Sequence, residues 1–93
     1  MPPLGIKSYR IKSRYRRAYR NLEETIKDVV DECINELFLE KMPSGRRLKK
    51  MGGYSNPEIW EVRVTKGYRL TFHMDGTVAV LRNVGSHDML NSP

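Results

Sequence analysis

The sequence has one cysteine, two histidines, few aromatic residues and no long apolar run. Each shortage excludes something. A single thiol, Cys33, cannot build an internal disulfide framework, and such scarcity fits a reducing cytoplasm. His73 and His87 lack neighbours at ligand spacing, so no metal site is readable. No stretch approaches the ~20 apolar residues that cross a bilayer. No signal peptide and no basic helix with a broad apolar face is visible either, so a membrane partner is not expected. No Ser/His/Asp or Cys/His nucleophile arrangement stands out, and no Gly-rich phosphate loop precedes a helix. No cofactor is implied. Acid is also short: 11 Asp and Glu face 17 Lys and Arg, leaving a net charge of +6 on 93 residues. A small domain so charged points to a polyanion, with nucleic acid the first choice.

What is present reads as one domain over residues 1–93. Residues 4–12 have the imperfect alternation of a first strand, with Ile6, Tyr9 and Ile11 as its apolar points. The period then changes. Tyr15, Ala18, Tyr19 and Leu22 mark one face of a helix over 13–22, with Ser13 as N-cap and Arg14, Arg16, Arg17 and Arg20 on the other face. That basic face is either merely solvated or an RNA contact. Thr25 to Asp28 resembles a capping box, and Ile26, Val29, Val30, Cys33, Leu37 and Phe38 carry a second helix over 26–39. Cys33 sits on that apolar stripe and reads as core. Pro43-Ser44-Gly45 ends the helical pattern. The basic run from Arg46 to Lys50 follows, then a loop opened by Gly52 and Gly53 that reaches Pro57.

The C-terminal third alternates as strands do. Asp75-Gly76 reads as a two-residue hairpin turn. It pairs Met74 with Thr77, Phe72 with Ala79, Leu70 with Leu81, and Arg69 with Arg82. A three-residue loop of Thr65, Lys66 and a left-handed Gly67 sets Arg63 opposite Arg69, Val62 opposite Leu70 and Trp60 opposite Phe72. The competing two-residue turn would put Val64 opposite Arg69 and mix the faces. The outcome is a three-stranded meander. One apolar face, from Trp60 to Leu81, takes the two helices, and Arg63, Arg69 and Arg82 form a row on the other. Like charges side by side destabilise a sheet pair, so a row without matching acids calls for an anion. His87 follows a glycine at the end of the same sheet and can exchange a proton near neutral pH.

In order and spacing, the short first strand, the helix pair, "SGRRLKKMGG", "WEVRVTKGYRLTF" and "VGSHD" resemble the RelE/ParE superfamily of type II toxin–antitoxin toxins. The resemblance spans nearly the whole chain. It implies an α+β microdomain, a helical hairpin packed on a small twisted antiparallel sheet. It further implies a ribosome-dependent mRNA endoribonuclease that needs no metal, with a cognate antitoxin, mRNA and the ribosome as partners. Arg69 matches the arginine that holds the scissile phosphate in the nuclease branch, and His87 the position of its acid or base. With Arg82 these are the candidate catalytic residues; Arg63, Lys49, Lys50, Arg46 and Arg47 are the candidate nucleic-acid contacts. For the general base, Lys50 and His73 stand as alternatives. The sequence departs from the nuclease pattern at Arg46, where some members carry a carboxylate, and at Met89-Leu90-Asn91, where many carry an aromatic residue. Two other readings stay open: a ParE-like, non-enzymatic DNA gyrase inhibitor, and a basic RNA- or ribosome-binding domain that has lost catalysis.

Overall fold

A computed structural model describes residues 4–87 and residue 93. The chain forms β1 (Ser8–Ile11), α1 (Ser13–Arg20), α2 (Glu24–Glu36), a 3-10 turn (Ser44–Arg46), β2 (Lys49–Ser55), β3 (Glu58–Thr65), β4 (Tyr68–Asp75) and β5 (Val78–Ser86). The strands make one five-stranded sheet in the order β1-β5-β4-β3-β2. β1 runs parallel to β5, and all other neighbours are antiparallel. The expected α+β arrangement of a helix pair on a sheet is present, with α1 packed on β5 and α2 on β3. Met89-Leu90-Asn91 lies outside the described residues.

Both helices start elsewhere than their side chains advertise. Lys12 donates its N–H to Leu81 O at 3.0 Å, which extends the β1–β5 ladder up to the first helical residue. Lys12 is thereby held extended as N-cap, and Ser13 lies inside the first turn with no side-chain cap. The second helix opens at Glu24, because the Glu23 carbonyl accepts from Ile26 and Lys27 at 3.0 and 2.9 Å. The Thr25–Asp28 capping box therefore does not form. Glu24 in the first turn complements the helix dipole instead.

The sheet has one strand more than the sequence pattern announces. β2 is an exposed edge containing Gly52 and a left-handed Gly53 (φ +86°), so neither alternation nor propensity marks it. Its pairing with β3 creates it: Lys49 lies opposite Glu61, and Lys50 opposite Trp60. At the other edge the strand is Ser8–Ile11, half the expected length, because only those residues pair with β5.

Between β3 and β4 the expected pairs Arg63–Arg69, Val62–Leu70 and Trp60–Phe72 all form. The turn itself closes at Thr65–Tyr68, with the odd residue absorbed as an irregularity between Arg63 and Thr65, and Gly67 is not left-handed. The β4–β5 pairing differs more. Asp75 pairs with Val78, so the turn residues are Gly76, at φ +61°, and Thr77. Phe72 consequently faces Leu81, a slip of two residues that leaves every side chain on its expected face. A bulge then leaves Arg82 unpaired, and Arg69 faces Gly85 rather than Arg82.

The core unites Val62, Val64, Leu70, Phe72, Ala79 and Leu81 with Tyr15, Val30, Cys33, Ile34 and Leu37 from the helices. Burial pushes the Cys33 thiol up to about 11, which keeps it protonated and inert. Phe72 is fully buried in the middle strand of the sheet. Phe72→Ala should cost about 3–5 kcal/mol by urea unfolding. That loss is comparable to the whole stability of many domains this small. A cost below about 1 kcal/mol would show that Phe72 is not where the core is tightest.

Candidate functional site

The face of the sheet turned away from the helices carries the charged residues. Arg63 and Arg69 sit directly opposite each other on β3 and β4. Arg69 does not lack a partner, as the sequence pattern had implied. Its Nε donates to Glu61 Oε1 at 3.2 Å, and Nη1 donates to the carbonyls of Thr65, Tyr68 and Lys66 at 2.9, 3.0 and 3.2 Å. Glu61 and Arg69 side chains are only 10% and 15% exposed, so this is a partly buried pair and not a surface one. Nη2, with two of the five guanidinium donors, makes no contact among the described residues. Arg63 makes no ion pair among them either. Glu61 was the missed residue, although its signal was present: in the Arg63–Arg69 register it lies on the same face, diagonal to Arg69.

Arg82 belongs to a different cluster. The bulge removes it from the arginine row, and its Nη1 meets His73 Nδ1 at 2.8 Å. An arginine only donates, so Nδ1 accepts and the imidazole proton sits on Nε2. Burial first, then Arg82, Lys12 and Arg10, lower the His73 pKa below its ordinary value, while Asp75 opposes them. His73 is thus a neutral ring whose outer nitrogen is a donor. It lies four residues along β4 from Arg69, roughly 13 Å at a strand's rise per residue.

His87 is exposed just past β5, with its backbone N–H bonded to Gly67 O at 2.8 Å. Since Gly85 faces Arg69, this bond ties His87 to the turn that Arg69 wraps. Arg63, Arg69 and His87 are therefore brought to one end of the sheet.

The basic run divides. Lys49 shares the face of Glu61, whereas Lys50 lies opposite Trp60, with its Nζ 5.9 Å from the indole ring and 3.4 Å from Glu58. Strand alternation sends the two lysines to opposite faces. Arg46 is bound inward: it forms a close ion pair with Glu36 and donates to Val64 O at 2.8 Å, tying the 3-10 turn to α2 and β3. Its 17% exposed side chain is a structural tie. Arg47 is exposed and left-handed at φ +49°.

Comparison with solved structures gives three informative likenesses. YafQ from E. coli strain BL21(DE3) superposes with a TM-score of 0.76 at 8% identity, over 90% of this chain and 97% of that one. The RelE–RelB complex from Pyrococcus horikoshii OT3 gives 0.65 at 16% identity, over 91% and 98%. The E. coli RelBE toxin–antitoxin complex gives 0.65 at 18%, over 84% and 93%. No family model and no curated protein matches the sequence. The fold is that of RelE-like toxins.

Two expected outcomes follow from the contacts. Arg69→Ala should destabilise by about 2–3 kcal/mol, because it strands a mostly buried carboxylate and three turn carbonyls. The Arg69→Gln/Glu61→Gln pair should recover much of that in urea unfolding. Equal losses in the two proteins would remove the ion pair as the cause. For His73 the sign follows from its lowered pKa. Above the ordinary ~6.5 both folded and unfolded chains hold it neutral. As pH falls below that, the unfolded chain takes a proton that the folded chain refuses until its own lower pKa, so stability drops across that window. His73→Gln should remove this part of the difference between unfolding at about pH 7.5 and about pH 5. Identical pH dependence in the two proteins would contradict the assignment.

Proposed function

We propose that the chain is the toxin of a type II toxin–antitoxin pair and acts as a ribosome-dependent mRNA endoribonuclease. One observation carries the reading. Arg69 holds two guanidinium donors that have no partner among the described residues, beside Arg63 and at the sheet end where a backbone bond anchors His87. The likeness to RelE and YafQ folds supports it, and those structures include toxin–antitoxin complexes.

Cleavage of RNA can use the substrate's own 2′-OH as nucleophile, so no protein nucleophile is needed. The oxygen attacks the adjacent phosphorus, the P–O5′ bond breaks, and a 2′,3′-cyclic phosphate forms. Charge on the phosphorane would fall to Arg69 Nη2 and to Arg63, in the manner of fixed donors aimed at developing charge. His87 would protonate the departing 5′-oxygen. Neither His73 nor Lys50 is held ready to take the 2′-OH proton, which would pass to solvent water as the oxygen attacks. His73 presents a protonated Nε2, and Lys50 turns to the opposite face. Lys49 stays on the site's face as a phosphate contact; Arg46 is spent on Glu36 and Val64. A cognate antitoxin would neutralise the protein by covering this basic end with an acidic segment that orders on binding.

Expression should arrest translation with cuts in ribosome-bound mRNA, detected by primer extension. His87→Ala should slow single-turnover cleavage by roughly 10²–10⁴. Because the side chain is exposed, its thermal midpoint should not move. Intact transcripts alongside failed gyrase supercoiling would replace this reading with the ParE-like one. Wild-type cleavage by the variant would remove His87 from the mechanism.

A further inference from the structure

On the helical side of the sheet, away from Arg69 and His87, a cavity of about 210 Å³ opens between β1, α1 and α2. Tyr9, Tyr15, Arg16, Tyr19 and Asp31 line it over a floor of Ile11 and Ile34. Three features are unusual together. Tyr15 is 3% exposed, yet its hydroxyl has no hydrogen-bond partner among the described residues. A buried donor left unmade is costly, and the residue that carries it is one of those lining the cavity. Asp31 is exposed at the rim, held by the Tyr19 hydroxyl at 2.9 and 3.0 Å to its two oxygens, which leaves lone pairs on both. Tyr9 is 50% exposed, with an edge contact to Phe38.

The surroundings decide what could enter. Arg16, Arg17 and Arg20 stand exposed along α1, with no ion pair among the described residues. A cationic side chain of a partner would be repelled by them. An acidic peptide would meet Asp31 and the acids of α2. An aliphatic side chain would leave the Tyr15 hydroxyl as unmatched as before. A nucleotide satisfies every part: a planar ring against tyrosine, polar edge atoms for Tyr15 and Asp31, and phosphates for the arginines. Unpaired bases are read this way, stacked on aromatic rings and bonded at their edges. Among the four bases, only guanine presents two adjacent donors, N1–H and N2–H, that a carboxylate accepts together. Its O6 is an acceptor for a hydroxyl.

We propose that this cavity is a docking site for one unpaired guanine of an RNA strand, its edge on Asp31 and Tyr15 and its flanking phosphates on Arg16, Arg17 and Arg20. The site is separate from the proposed cleavage site and does not depend on its chemistry. Burial and the Asp31 charge raise the Tyr15 pKa well above the ordinary tyrosine value, so its hydroxyl stays a donor at any physiological pH.

The test uses the full chain and fluorescent 2′-O-methyl oligonucleotides, which the 2′-OH chemistry cannot cleave. One is a uridine tract; two others carry a single central guanine or adenine. Anisotropy should show the guanine strand binding at least about tenfold tighter than the other two, in line with one stacked and hydrogen-bonded base. Asp31→Asn should abolish that preference while leaving uridine-tract binding intact. Tyr15→Phe should weaken guanine binding about fivefold, the share of one hydrogen bond, without lowering the thermal midpoint. Neutralising Arg16, Arg17 and Arg20 should weaken all three strands and flatten the salt dependence. Equal affinity for the three strands, or an Asp31→Asn loss that is the same for all, would overturn the proposal. So would Asp31→Asn and Tyr15→Phe variants that bind RNA normally but fail to bind a protein antitoxin, which would assign the cavity to a protein side chain. Loss of cleavage in His87→Ala, or its retention, leaves these binding ratios unchanged, so the two readings fail separately.

Discussion

A single guanidinium holds one end of this sheet in register. Arg69 spends one donor on Glu61 and one nitrogen on three carbonyls of the β3–β4 turn. Those bonds fix where the turn closes, and the turn's Gly67 carbonyl in turn anchors the backbone of His87. Arg63 can lie directly opposite Arg69 because Glu61 shares the face. Two like charges at a cross-strand position repel, and a carboxylate one pleat away offsets much of that repulsion. The arrangement thus offsets the repulsion within the chain, and leaves the two N–H groups of Arg69 Nη2 without a hydrogen bond among the described residues.

Charge is sorted by element in the same economical way. Seven of the eleven acids fall between Glu23 and Glu40, on or beside α2. Of the other described acids, Glu58 pairs with Lys50, Glu61 with Arg69 and Asp75 with Arg10. The remaining basic residues keep their fields. One group, Arg63 and Lys49, surrounds the Arg69 site, and another lines α1. The result is two basic surfaces on opposite sides of the sheet, with an acidic helix beside one of them. A polyanion meeting this molecule is attracted from two directions and repelled along α2, which restricts how it can lie.

Much of this was legible where period-2 alternation had an apolar anchor. Val62, Leu70 and Phe72 fix which side of β3 and β4 is core, so the Arg63–Arg69 pairing and the charged face follow from the pattern alone. The misplaced turn at Asp75 did no harm, because a slip of two residues preserves the face. The bulge at Arg82 was not legible. "VAVLRNV" alternates on either side of it, and nothing local marks the extra residue that moves Arg82 to His73. β1 was legible as a strand but not in its extent or its parallel pairing, and β2 was illegible for a related reason: an exposed edge with glycines becomes a strand only because a partner offers a free ladder. Arg46 and Arg47 look alike in sequence, yet one is buried against Glu36 and Val64 while the other turns out at a left-handed residue. That difference comes from the packing of the 3-10 turn on α2 and β3, which no run of basic letters encodes.

The double duty of Arg69 has a consequence for the site's selectivity toward anions. A free arginine pair would bind any phosphate it met, since the attraction is set by charge alone. Here Glu61 cancels part of the field, and a single phosphate must compete with that carboxylate for the same guanidinium. Charge-assisted bonds to an arginine are worth about 1.5–3 kcal/mol each, so two bonds to Nη2 and one to Arg63 would outweigh the residual repulsion only when geometry lets all three form. An isolated ion can diffuse away before meeting that condition. A strand held at several points elsewhere, by Lys49 on this face or by tyrosine and arginine contacts on the other, keeps its phosphate at high local concentration. Under the proposed function, the site would engage a phosphate that arrives already positioned by the rest of its polymer, and would stay largely self-neutralised until then.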